Sequence, residues 1–203
     1  MSGGKLFVIS GPSGVGKGTI VNEIMSSSSG IKLSVSATTR SPRDGEIDGS
    51  SYFFMSETEF KEKIAEDGFL EYAYVHGHYY GTPKKPVIDA LKEGFDVILE
   101  IDVQGAMQVK SSYKDGIYIF VLPPSMEQLE SRIRTRGTES EDDIALRLGK
   151  ALGEIRYLNE YDYSIVNDDL NFAVHETKAI MRAEHCRIDD AAMLIAKYEE
   201  ELK

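Results

Sequence analysis

The sequence predicts an α/β fold in which a parallel sheet is flanked by helices and interrupted by an inserted lobe of mixed or antiparallel strands. Three observations predict it. The runs Leu6–Ser10, Val97–Ile101 and Ile117–Leu122 are nearly continuously apolar, as strands covered on both faces must be. Segments of helical period alternate with these runs. The stretch 33–80 breaks the alternation, with strands closer together, several tyrosines and polar turns.

The elements follow in order. A first strand over 5–10 runs into Gly11-Pro12-Ser13-Gly14-Val15-Gly16-Lys17-Gly18-Thr19, and a helix over 17–27 follows. Strand, glycine-rich loop and helix together are the context of a phosphate-binding loop. Glycines let the backbone turn sharply and approach a polyphosphate. The loop N–H groups and the helix N-terminus face the anion, and Lys17 is placed to reach the β- and γ-phosphates. The strict pattern has Ser or Thr after the lysine, to touch Mg²⁺. Here Gly18 stands there and Thr19 comes one place later. Mg²⁺, which keeps several of its waters, is therefore expected near Thr19, Glu100 and Asp102 through water.

Strands over 33–37 and 52–55 bracket a loop with Arg40 and Arg43. Arg presents a fork that matches phosphate oxygens, although a basic loop can equally be solvated surface. Ser56-Glu57-Thr58-Glu59 fits a capping box and opens a helix over 57–66. A strand over 69–75 and a helix over 84–93 lead to the strand 95–101. Glu100 and Asp102 lie two apart at its end, which puts them on one face of an extended chain, at the carboxyl edge where ligands gather in open α/β sheets. Two acids ending an apolar strand are costly unless used. A helix over 103–110 and a strand over 117–122 come next. Ser125-Met126-Glu127-Gln128 fits a second capping box before a helix over 126–136. A helix over 141–159, a strand over 162–166 and a helix over about 170–201 complete the chain. His175, His185 and Cys186 lie in this last part at a spacing that fits no standard zinc pattern.

Composition narrows the function. A chain of 203 residues with 41% hydrophobic content suits one domain with small inserted lobes. No apolar run approaches the length of a membrane span, and the N-terminus lacks a signal-peptide pattern. The single Cys186 cannot pair internally, which points to a reducing, cytoplasmic setting. A net charge of −11 argues against a nucleic-acid or anionic-membrane partner. An acidic protein that binds an anion must gather its arginines at the ligand, and this chain groups Arg40 with Arg43, and Arg132, Arg134 and Arg136 with Arg147.

The segment Thr38-Thr39-Arg40-Ser41-Pro42-Arg43-Asp44-Gly45-Glu46, continuing to Tyr52-Phe53-Phe54, resembles the signature of guanylate kinases. So, in the same order, do the phosphate loop, the Glu71 segment, His78-Tyr79-Tyr80-Gly81-Thr82, Ile101-Asp102-Val103-Gln104-Gly105, Arg136-Gly137-Thr138-Glu139 and Val166-Asn167-Asp168-Asp169. The resemblance covers essentially the whole chain. It implies a P-loop NTPase-type core over 1–33, 84–125 and 160–203, a GMP-binding lobe over about 34–83, and a helical lid over about 126–159. It implies ATP and GMP as substrates, with dGMP as a further acceptor, and Mg²⁺ with the ATP. Arg40, Arg43, Glu46, Tyr52 and Tyr80 match the family's GMP phosphate segment, while Ser36, Glu71, Thr82 and Asp102 match its guanine-reading positions. Lys17, Arg136 and Arg147, with Arg40, match the groups around the transferring phosphoryl. Gly11 to Thr19 match the ATP phosphate site, and Asn167 and Asp168 flank the adenine. Glu100 stands where the family has an acidic residue, Glu or Asp, near the metal waters.

These residue types suit the chemistry. Guanine carries two donors, N1–H and the N2 amine, and an O6 acceptor on one edge, so a site for it needs carboxylates and hydroxyls. In the lid segment, Arg132 and Arg134 fit an exposed, salt-bridged helix better than Arg136 does. Two other readings stay open from sequence. One is a guanylate-kinase-like binding module without catalysis, against which the intact Lys17 loop speaks. The other is a different nucleoside monophosphate kinase, since Gly-Lys-Gly-Thr also occurs in adenylate kinases. The sequence leaves monomer and homodimer equally open.

Overall fold

The structure is a computed structural model that describes residues 3–135, 140–188 and 191–202. Its elements in chain order are β1 (Leu6–Ser10), α1 (Lys17–Ser26), β2 (Ile31–Leu33), β3 (Ala37–Thr38), β4 (Phe53–Phe54), α2 (Glu57–Ala65), β5 (Phe69–Val75), β6 (His78–Pro83), α3 (Lys84–Lys92) and β7 (Asp96–Glu100). Then come α4 (Val103–Ser112), β8 (Gly116–Leu122), α5 (Met126–Thr135), α6 (Glu141–Ile155), a 3-10 turn (Leu158–Glu160), β9 (Tyr163–Val166), α7 (Leu170–His185) and α8 (Ala191–Glu201).

A five-stranded sheet in the order β2-β7-β1-β8-β9 forms the core, and all its pairings are parallel. Two apolar layers explain why its strands read as unbroken apolar runs. Phe7 and Ile9 face the α1 and α7 side with Ile20, Ile24 and Val174. Leu6 and Val8 face the α3 and α4 side with Val87, Leu91, Ala106 and Val109. β1 lies between β7 and β8, so the chain leaves its carboxyl end where the winding direction switches, the place where open α/β sheets hold ligands.

A second sheet, in the order β4-β3-β6-β5, carries the inserted segment. It is mixed, because β3 pairs parallel with β4 and antiparallel with β6. Its own small core stacks Phe60 on Phe69, with ring centroids 4.3 Å apart, beneath Ala37, Phe53 and Tyr79. Strand β6 is absent from the sequence-based expectation. Its residues His78-Tyr79-Tyr80-Gly81-Thr82-Pro83 lack apolar alternation, and pairing across the tight His76–Gly77 turn, with φ of 51° and 84°, makes the strand. The expected strand 33–37 is two short strands in different sheets, β2 in the core and β3 in the lobe.

The third layer is a pair of packed helices, α5 and α6, joined through Leu129, Ile133, Ile144 and Ala151. The capping box at Ser56 is complete, and Ser125 Oγ accepts from Gln128 N–H at 3.1 Å. A further complete box at Ser140 and Asp143 starts α6; its Asp in place of Glu hid it from the sequence pattern. Helix α6 stops at Ile155, earlier than expected, and the last expected helix is divided, with α7 ending at His185 and α8 starting at Ala191. Among the described residues no helix is long and apolar enough to cross a membrane, and no cluster of three or more His, Cys, Asp or Glu could hold a metal. His185 pairs instead with Asp96 at 2.8 Å.

Candidate active site

The loop after β1 is built by glycine. Gly11, Gly14 and Gly16 have φ of 143°, 87° and 98°, a region that L side chains seldom enter. Space is as restrictive as torsion at two of them. A Cβ on Gly11 would stand 2.3 Å from the Val121 carbonyl oxygen, and one on Gly16 2.5 Å from the Asn167 amide nitrogen. Lys17 opens α1 and donates from its ammonium to the carbonyls of Gly11 and Pro12, so the cation is held over the loop. Pro12 and Val15 are buried, while Ser13 and Thr19 are exposed.

One side of the loop borders a cavity of about 440 Å³ lined by Gly14, Gly16, Thr19, Arg132, Asn167 and Asp168, among others. Asn167 is buried and donates from its amide to Val15 O at 2.8 Å. Arg132 donates to Asn167 O at 2.8 Å and to Val15 O at 3.3 Å. This arginine was expected on an exposed salt-bridged face. It instead ties α5 to the phosphate loop and to the end of β9. Arg134 does match that expectation, pairing with Glu130 and Glu141. The contact from Arg132 to Val15 spans 117 positions, and no local pattern signals it.

On the other side, Glu100 faces the loop. A Cβ on Gly18 would lie 3.3 Å from Glu100 Oε1, so the missing hydroxyl residue is the one nearest this carboxylate. Glu100 opens to solvent along the cleft, yet the surrounding protein still raises its carboxyl pKa by desolvation, against the pull of Lys17. Thr19 lines the cavity on the Asn167 side. Asp102 is not on the strand. β7 ends at Glu100, and Asp102 caps α4, its Oδ1 accepting from Gly105 N–H at 2.8 Å. Asp102 thus lies just past the strand end, where its own extended backbone leads into α4 at Val103.

Asp102 faces Glu71 instead. A Cβ on Gly105 would lie 3.3 Å from Glu71 Oε2 and 3.5 Å from Asp102 Oδ1. Glu71, on β5, is buried and accepts from Thr82 Oγ1 at 2.6 Å. Burial raises its carboxyl pKa, the Thr82 hydroxyl opposes the rise, and the nearby Asp102 charge adds to it. A buried carboxylate with one hydroxyl partner keeps lone pairs for donors of a ligand.

The basic loop is held from both ends. Thr38 Oγ1 donates to Tyr79 O and Thr39 Oγ1 accepts from Tyr79 N–H, each at 3.0 Å. Arg40 N–H donates to Thr38 Oγ1 at 3.2 Å. The two threonines thus clamp β3 to β6 and aim the next residue. The Arg40 guanidinium then forks onto Glu46 at 2.9 and 2.8 Å, and Arg43 N–H donates to the same carboxylate at 2.7 Å. Arg40, chiefly, and the Arg43 backbone hold the Glu46 carboxyl down at about 2. Glu46 and Tyr80 raise Arg40 in turn. Tyr52 meets Tyr80 edge-on at 6.2 Å, and Arg40 lies 5.4 Å from the Tyr52 ring centre. Ser36 is half-buried beside this group, its carbonyl accepting from Phe53 N–H at 2.9 Å. Arg147 is exposed on α6. Arg136, expected at the transferring group, lies outside the described residues.

The cleft thus joins a phosphate cradle, a buried glutamate beside an exposed aspartate, and an arginine fork. Comparison with known proteins agrees with that combination. The guanylate kinase family model matches residues 3–184. The chain is 54% identical over 198 residues to the guanylate kinase of Caldanaerobacter subterraneus subsp. tengcongensis, covering 98% of this chain and 96% of that one. It is 56% identical over 189 residues to the guanylate kinase of Clostridium tetani, covering 93% and 90%. The crystal structure of guanylate kinase from Anaplasma phagocytophilum superposes with a TM-score of 0.71 at 35% identity, covering 92% of this chain and 88% of that one. The phosphate loop, the Arg40 fork and the Glu71–Thr82 pair thus sit in a chain that belongs to the guanylate kinase family.

Proposed function

We propose that this cleft divides the work of a guanylate kinase between a donor end and an acceptor end, with the core, lobe and lid boundaries expected from sequence. The protein transfers the γ-phosphoryl group of ATP to GMP, giving ADP and GDP. The observation that carries the residue assignment is the buried Glu71, held by Thr82 and facing Asp102 across Gly105.

At the acceptor end, Glu71 and Asp102 accept from guanine N1–H and the N2 amine, and Ser36 and Thr82 offer hydroxyls toward the base. Adenine would set an unprotonated N1 against a carboxylate and leave buried groups unpaired, a mismatch that such sites reject by roughly 10⁴–10⁵-fold. Arg40, Arg43, Tyr52 and Tyr80 take the GMP phosphate, with Glu46 fixing the Arg40 fork. None of these groups depends on the ribose 2′-hydroxyl, so dGMP also serves as acceptor.

At the donor end, the backbone from Gly11 to Thr19 cradles the ATP phosphates, and the adenine lies toward Asn167 and Asp168. The acceptor oxygen is already anionic, so no general base is needed, and positioning and charge neutralisation carry the rate. Lys17, Arg136 and Arg147 surround the group in flight. The polar atoms that a Cβ on Gly18 would meet are the two Glu100 oxygens, ligand atoms that suit a hard cation. Glu100 would hold Mg²⁺ through its waters, with Asp102 and Thr19 farther along the cleft. Bound with ATP, Mg²⁺ neutralises charge on the β- and γ-phosphates.

ADP formation from Mg·ATP, measured with GMP, dGMP, AMP, UMP and no acceptor, tests the proposal. Turnover with GMP and dGMP is expected. Equal turnover with AMP would remove Glu71 and Asp102 from base reading, and equal ADP without acceptor would mean that the site is a hydrolase.

A further inference from the structure

Among the described residues, three buried side-chain polar atoms lack a hydrogen-bond partner within the protein: Ser10 Oγ, Glu154 Oε2 and Tyr161 OH. They come from separate elements. Ser10 ends β1 immediately before the phosphate loop, Glu154 lies in the last turn of α6, and Tyr161 follows the 3-10 turn. They nevertheless share one neighbourhood. Burial raises the Tyr161 phenol to about 12; the Ser10 hydroxyl opposes the rise, and the Asp102 and Glu154 charges add to it. Geometry brings Ser10 and Tyr161 together, since Ser10 pairs with Phe120 across β1 and β8 and the Phe120 ring meets the Tyr161 ring. Burial also raises the Glu154 carboxyl, opposed by Lys150 and Lys17, with Asp102 adding to the rise.

The surroundings fix these atoms in place. The Tyr161 ring stands edge-on to Phe120 at 4.8 Å and to Tyr118 at 6.4 Å, and its hydroxyl is buried. The remaining Glu154 oxygen faces Lys150 Nζ at 3.7 Å, which leaves Oε2 directed inward. Native proteins seldom leave buried polar atoms unpaired. One water making about three hydrogen bonds is the ordinary way to join such a group.

We propose that Ser10, Glu154 and Tyr161 form a positioning network, closed by one shared water, that couples the end of the lid helix to the root of the phosphate loop and sets Lys17 for phosphoryl transfer. The route to Lys17 is short. Ser10 directly precedes Gly11, whose carbonyl accepts from the Lys17 ammonium. A displacement of Ser10 moves that carbonyl and the cation on it. None of the three residues need touch the reacting atoms, so their effect appears in turnover and not in substrate binding. The inference rests on the functional reading above.

Glu154→Gln, Tyr161→Phe and the double variant test it, with kcat, both KM values and Tm measured on each. The two substitutions keep side-chain size. Misplacing a catalytic group slightly lowers the rate by tenfold or more. Each single variant is expected to lower kcat about tenfold, with KM for ATP and GMP within about twofold. The double variant is expected to match the single ones, because both break one network. A Tm loss with kcat unchanged per folded molecule would show a structural role and overturn the proposal, as would multiplying effects in the double variant. Should Tyr161→Phe fail to fold, Glu154→Gln at the half-buried rim gives the same kcat-against-KM comparison. Absence of GMP turnover in the wild type would instead overturn the functional reading, which keeps the two failures distinct.

Discussion

The phosphate loop and the inserted lobe are built by opposite means. The phosphate loop uses backbone, and its shape is enforced by glycines that no other residue could replace at Gly11 or Gly16 without a clash. The lobe presents charged side chains, held by partners of their own: Glu46 locks Arg40, Thr38 and Thr39 clamp the strand beneath, and Thr82 holds Glu71. A backbone cradle discriminates little between nucleotides, because every triphosphate presents the same oxygens. Side chains arranged around a buried carboxylate discriminate strongly, because each must be matched. On the proposed assignment, selectivity for the acceptor base therefore rests on Glu71 of the lobe and Asp102 at the head of α4.

Breaking the donor end should have the largest effect on rate. Removing one preorganised positive donor from a transition state costs about 10²–10³-fold, so Lys17→Ala is expected to lower kcat by about 10³-fold with Tm nearly unchanged. Steady-state kinetics and a thermal melt measure both. Wild-type kcat would contradict the role of Lys17. Gly16→Ala comes next. It forces a side chain into a positive-φ position 2.5 Å from the Asn167 amide, a strain of about 1–3 kcal/mol, and ATP titration should show weaker binding while GMP binding persists.

Breaking the acceptor end should separate the substrates in the other sense. On the proposed assignment, Arg43→Ala removes a charge that binds the GMP phosphate and is expected to weaken GMP about tenfold, the scale of a charge-assisted hydrogen bond, and to leave ATP affinity intact. Calorimetry with each nucleotide decides it; unchanged GMP affinity would exclude the Arg43 side chain.

The smallest effects are those of pH, and their signs differ within the lobe. Glu46 has a folded pKa of about 2, below its unfolded value. Its stabilising contribution is present above the unfolded value and is lost as pH falls toward about 2. Glu71 is raised by burial, so its contribution is best at low pH and is lost as pH rises from the ordinary carboxylate value through the raised one. On the proposed assignment, guanine binds the ionised Glu71. GMP affinity should therefore weaken on acidification from above the usual carboxylate range, more steeply in the wild type than in Glu71→Gln. Ionisation of the GMP phosphate is common to both proteins and cancels in that comparison. Parallel curves would contradict the role of Glu71.

What the sequence made legible follows from the same contrast. The phosphate loop was readable because its geometry demands glycines at fixed spacing, and the core strands because two-sided burial demands unbroken apolar runs. The lobe was readable only in part. Strand β6, made of His78, two tyrosines, Gly81, Thr82 and Pro83, owes its existence to pairing with β3 and β5 and carries no alternation. The spacing places Asp102 at the strand end but does not reveal that it also caps α4, beside Glu71. Arg132 was read as solvated, whereas it reaches carbonyls on two distant segments. Each of these depends on contacts between residues far apart in the chain, which local periodicity does not encode.

The central claim is that the Glu71–Asp102 pair reads the acceptor base. Its most direct test is the ratio of kcat/KM for GMP to that for AMP, in the wild type and in Glu71→Gln. The account predicts a wild-type ratio of about 10⁴ or more and a fall of roughly ten- to hundredfold in the variant, corresponding to one lost buried charge-assisted contact. An unaltered ratio in Glu71→Gln would contradict it.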